Sequence, residues 1–105
     1  MDLPINTIVE DMITSVSGQV SGDLGVIKNY FIQIVQEQKE ALETIADGFK
    51  SGDLTVDEVK EELESEKKTF AAQLLAIQVL EKALVQKAAN AAIDSVLKIL
   101  AIALP

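Results

Sequence analysis

Apolar residues recur along the first half of the chain at steps that are mostly three or four. They are Ile5, Val9, Met12, Val16, Val20, Leu24, Ile27, Phe31 and Ile34, then Leu42 and Ile45, with Gln38 as the polar intrusion. That spacing keeps the series on one side of a 3.6-residue helix. The second half carries a like series: Val59, Leu63, Phe70, Leu74, Ile77, Leu80, Leu84, Ala88, Ala91, Val96 and Leu100. Between them, Gly48-Phe49-Lys50-Ser51-Gly52-Asp53 interrupts the pattern with two glycines. The pattern therefore predicts an all-α fold and a single helical domain over 1–105. Its architecture is a long antiparallel helical hairpin, with one arm over about 5–47, a turn at 48–54 and a second arm over about 55–104. At 1.5 Å per residue the second arm would be on the order of 75 Å long.

Start signals agree with that division. Thr7 to Glu10 and Thr55 to Glu58 both read as capping boxes, a hydroxyl and a carboxylate three residues apart that satisfy free N–H groups at a helix start. Pro4 fits just inside or just before a first turn. The first arm has one weak place, Ser17-Gly18-Gln19-Val20-Ser21-Gly22-Asp23-Leu24-Gly25. Each helical glycine there costs about 1 kcal/mol relative to alanine, so the arm is expected to be kinked or broken near 18–25. Ser21 to Val26 also echoes Ser51 to Val56, with Ser-Gly-Asp-Leu shared. If the second copy turns into a helix, the first is expected to do the same. Against a break, the stripe Val16, Val20, Leu24, Ile27 passes through without losing phase.

The apolar faces are wider than a two-stranded seam needs, as Leu74-Leu75, Val79-Leu80, Leu84-Val85 and Ile99-Leu100 show. An isolated hairpin would leave one flank of its core open, so two hairpins are expected to pair as a homodimeric four-helix bundle. Leu74, Ile77, Leu84, Val96 and Leu100 are the candidate interface. The alternative is one chain folded back at the glycines and again near Asn90.

Composition narrows the function classes. There is no Cys and no His, and all nine cations are Lys. The usual thiol and imidazole ligands, nucleophiles and bases are therefore missing, as is the guanidinium clamp for phosphate. With a net charge of −8, nucleic-acid binding is not expected, because phosphate neutralisation dominates that affinity. No enzyme and no cofactor are expected. The start of the chain lacks the basic and apolar segments of a secretory leader. The apolar end, Ala88 to Pro105, is broken by Asn90, Asp94, Ser95 and Lys98, short of the roughly 20 residues a membrane span needs. A cytoplasmic protein is expected, with secretion by a non-classical route and membrane contact through the apolar C-terminal arm as the second reading.

Two features could carry function. Asp47 to Glu58 resembles the EF-hand calcium loop in outline: Asp47, Ser51, Thr55 and Glu58 fall on its first, fifth, ninth and twelfth positions. Phe49 occupies the third, where a ligand is normal, which leaves too few oxygens for a hard cation. A weak calcium site is the lesser alternative, and the turn of a hairpin is the main reading. The second feature is charge. Residues 37–66 hold eleven carboxylates and three lysines, whereas the rest of the chain holds six of each, so the whole net charge surrounds the turn. Glu58, Glu61 and Glu62 are the candidate interaction residues of this acidic tip, and a basic protein is the partner they fit. In size and hairpin shape the chain resembles the WXG-type secreted helical hairpins, without the Trp-x-Gly turn that defines them. The expected function is non-enzymatic and works through protein–protein interaction, in assembly, as an adaptor or as an inhibitor.

Overall fold

The structure, a computed structural model, describes residues 2–20, 22–78 and 80–102. The described residues are all-helical, in four segments: α1 (Ile5–Val16), α2 (Leu24–Ser51), α3 (Val56–Ala76) and α4 (Lys82–Ile99). Helix α1 packs against α2 and α4, and α3 packs against the same two. That closes a ring, so a single chain completes a four-helix bundle, the architecture the sequence assigns to two. The long axis is 43 Å and the radius of gyration 13.3 Å, against about 13 Å for a compact chain of this length.

The first arm breaks where the glycines predict. Gly18 takes φ +83°, a left-handed conformation open to glycine at no steric cost. Asp23 then caps α2, its Oδ1 accepting from the Gly25 N–H at 2.7 Å. Both copies of the Ser-Gly-Asp-Leu echo do lead into helices, but in different register. Asp23 caps the first, whereas Thr55, two residues further along the echo, caps the second. Glycine occupies the equivalent of Thr55 in the first copy and has no side chain to cap with. The unbroken phase of Val16, Val20, Leu24 and Ile27 is therefore no sign of a continuous helix; Leu24 is exposed.

The second arm departs from expectation. It is not one helix over 55–104, because α3 ends at Ala76 and α4 begins at Lys82. The fold-back near Asn90 does not occur either; Asn90 lies exposed in the middle of α4. The break at 77–81 contains neither Gly nor Pro, and Gln78 adopts φ +55° there. Both breaks fall at the same end of the bundle. Gln19 Oε1, in the first, accepts from Lys87 Nζ of α4 at 2.8 Å.

Packing explains why the chain folds twice. Leu84, Val85, Ala88, Ala89, Ala92, Ile93, Val96 and Leu97 are all buried along α4. Adjacent pairs are covered because α4 is wedged between α1 and α3, and its alanines allow close approach. The width of the apolar face, read as a dimer interface, is met inside the chain. Helix α4 closes with a Schellman motif: Ile102 N–H bonds to the Leu97 carbonyl at 2.9 Å and Ala101 N–H to that of Lys98 at 3.0 Å. Ile102 and Leu97 are both buried over that end, and Ala101 takes the left-handed position usually given to glycine.

At the first helix of the chain, α1 has no side-chain cap. It begins after Pro4, and Thr7 and Glu10 both lie within it, so the first expected capping box is absent. Glu10 faces Lys28 of α2 instead, 3.8 Å away. The second box forms as expected. Thr55 Oγ1 accepts from Glu58 N–H at 3.2 Å, and Glu58 Oε1 accepts from Thr55 N–H at 3.0 Å.

Candidate functional site

Helices α2 and α3 form the hairpin on which the acidic stretch lies. Gly52, at φ +85°, reverses the chain after α2. Leu54 folds back so closely that a Cβ on Gly48 would meet its Cδ1 at 2.8 Å, and Phe49 is partly buried against the core. The hairpin turn is thus held by packing and by the capping box, with the residues the sequence assigns to it.

These same contacts decide the calcium outline. Helix α2 runs on to Ser51, so Asp47 and Ser51 sit on helix rather than on an open loop. Ser51 Oγ donates to Asp53 Oδ2 at 2.9 Å, with the Gly48 carbonyl 3.2 Å away. Thr55 and Glu58 hold one another. Among the described residues, no three or more carboxylates gather as a metal-binding group.

What the hairpin does assemble is a carboxylate-lined face. Shallow grooves follow the α2–α3 seam, with Glu37, Glu40, Thr44 and Asp47 on the α2 side. Glu61, Glu62, Ser65 and Glu66 line the α3 side. Helical spacing places these acids on one side of each helix, and the tight turn sets the two rows beside one another. Glu61 and Glu62, expected at the tip, belong to this face. Glu58 is exposed at the first turn of α3, in its capping box.

Two acids behave differently from the rest. Glu43 is partly buried and accepts a hydrogen bond from Leu3 N–H at 3.0 Å, tying the start of the chain to α2. Glu66 is turned partly inward, and its Oε2 has neither solvent contact nor a hydrogen-bond partner. Burial, and secondarily the Glu62 carboxylate, push its pKa above the usual glutamate value. The sequence shows Glu66 as one more acid in a row; its inward placement depends on how closely α2 and α3 pack.

The five expected interface residues lie elsewhere. Leu74, Leu84, Val96 and Leu100 are buried, and Ile77 is packed partly against the same core. All five therefore contribute to the bundle of one chain. Among the described residues, no helix is long and apolar enough to cross a membrane.

The fold and this face define a small four-helix bundle with its negative charge gathered on one hairpin. Set against known protein families, curated proteins and solved structures, the chain matches none.

Proposed function

We infer that the protein is non-enzymatic and works as an interaction module, docking a basic protein along the acidic α2–α3 face in an adaptor or inhibitor role. The observation that carries this reading is the double row of Glu37, Glu40 and Asp47 beside Glu61, Glu62 and Glu66. Potentials of one sign along a groove steer oppositely charged partners and raise association rates. A lysine-rich helix laid along the seam would meet carboxylates on both sides. The want of His, Cys and Arg supports binding over catalysis.

Fluorescence anisotropy with a labelled lysine-rich amphipathic helix tests this. Affinity is expected to fall by about tenfold or more when Glu58, Glu61 and Glu62 are together replaced by Lys, and to fall steeply as salt rises. Binding that survives both changes would sink the acidic-face reading. Circular dichroism of the variant checks that the bundle remains folded.

A further inference from the structure

Two of the three interhelical turns are written into the sequence, and the third is not. The first has Gly18 at positive φ and an Asp23 cap; the second has Gly52 at positive φ and a complete capping box. The turn from α3 to α4 has neither device. Its residues, Ile77-Gln78-Val79-Leu80-Glu81, include no Gly and no Pro. Helix α4 starts at Lys82, Glu81 before it gives no side-chain cap, and Gln78 is held at φ +55°. That conformation is costly for a residue with a Cβ. Meanwhile Leu74, Ile77, Leu80 and Leu84 keep helical spacing straight through the turn. The spacing is competent for helix, and the chain turns at Gln78 because α4 must return to the groove between α1 and α3.

A second copy of the chain can meet that requirement another way. We propose that residues 77–81 are a hinge through which two copies exchange α4. In the exchanged form, 77–81 are helical, α3 and α4 are one continuous helix, and α4 of each copy occupies the groove between α1 and α3 of the other. The groove commits to this occupant because α4 already fits it: Val85, Ala88, Ala92 and Val96 would bury against the same neighbours. Domain exchange of this kind needs no new interface and relieves the hinge. Helix formation across the hinge removes the left-handed residue in both copies.

Two further observations favour it. The α2–α3 turn, around which the net charge gathers, lies at the opposite end of α3 from the hinge, so the two acidic tips would be far apart in the exchanged dimer. Three of the four large exposed apolar side chains among the described residues, Leu24, Val26 and Leu75, lie in the first turn of α2 and the last turn of α3. Those turns flank the end where the two copies would meet. The inference does not depend on the acidic face, and either can fail alone.

The test uses the full chain, refolded from denaturant at high and low concentration and separated by size exclusion with light scattering. A dimer is expected after refolding at high concentration. Gln78→Gly, which suits the bent turn and disfavours the helix, is expected to lower the dimer fraction by about tenfold or more. The protein has no cysteine, so Gln19→Cys with Lys87→Cys and a short bismaleimide reports whose α4 fills the groove. In the exchanged dimer this link joins two chains; in a side-by-side dimer it stays within one. Absence of dimer at every concentration overturns the proposal, as does a within-chain link in the dimer peak or a dimer fraction indifferent to Gln78→Gly.

Discussion

Among the described residues, Glu66, Gln73 and Ser95 each bury a side-chain polar atom without a partner. Glu66 has one carboxylate oxygen closed off from water and from any donor, and burial raises its pKa, with Glu62 adding to the rise. A carboxyl whose folded pKa is raised holds its proton more tightly in the folded chain than in the unfolded one. Its contribution to stability is therefore fully present below the unfolded value, about 4.3, and is lost as pH rises through the folded value. Glu66→Gln should accordingly leave stability little changed near pH 4 and raise it at neutrality. Urea midpoints at the two pH values would show the difference, and equal shifts at both would remove Glu66 from the account. Ser95 is buried in α4 with its hydroxyl unpartnered. Ser95→Ala removes an unsatisfied polar group and improves helix propensity, for an expected gain of about 1 kcal/mol. A loss of stability in chemical denaturation would mean that the hydroxyl has a partner.

At the level of elements, the two expected capping boxes make a controlled comparison. Both have Thr followed three residues later by Glu, yet only Thr55 stands at a helix start. Thr55→Ala should cost about 1 kcal/mol, the usual loss for a Ser or Thr cap. Thr7→Ala, inside α1 and exposed, should be neutral or gain a few tenths. Equal costs from denaturant curves would contradict the assignment of caps. The same contrast shows what was legible in the sequence. The hairpin turn and the break at 18–25 could be read because glycines at Gly18 and Gly52 and the caps at Asp23 and Thr55 are local signals. The start of α1 at Ile5, directly after Pro4, was legible too, and only the box at Thr7 misled, because Thr7 already lies inside the helix. The break at 77–81 could not be read, because nothing local encodes it. It exists because Leu84 through Leu97 find cover between α1 and α3, a long-range contact that outweighs the helical preference of the intervening five residues. For the same reason the acidic residues of the face could be counted in the sequence, but not the inward turn of Glu66 or the tie from Glu43 to Leu3.

Across the whole molecule, charge and packing are distributed in opposite senses. The core runs through all four helices, whereas the entire net charge of −8 belongs to residues 37–66, most of it on α2 and α3. Lys67, just beyond that stretch, pairs with Glu64 at 2.7 Å and offsets little of the excess. Carboxylates packed along one seam repel each other across distances shorter than the Debye length, about 10 Å at 0.1 M ionic strength. The unfolded chain spreads the same charges apart, so repulsion acts mainly against the folded state. Raising sodium chloride from low concentration to about 0.5 M should therefore raise the melting temperature, since screening shortens to a few ångströms over that range. Glu61→Lys with Glu62→Lys should raise it in low salt and flatten its dependence on salt, because the two changes break the row on α3 without touching the Thr55 cap. A salt response identical in the double variant would show that the repulsion is not centred on this face. The direction also bears on function: a face that destabilises its own bundle when unscreened gains stability when a basic partner covers it, so the partner's affinity and the salt effect should weaken together in the double variant.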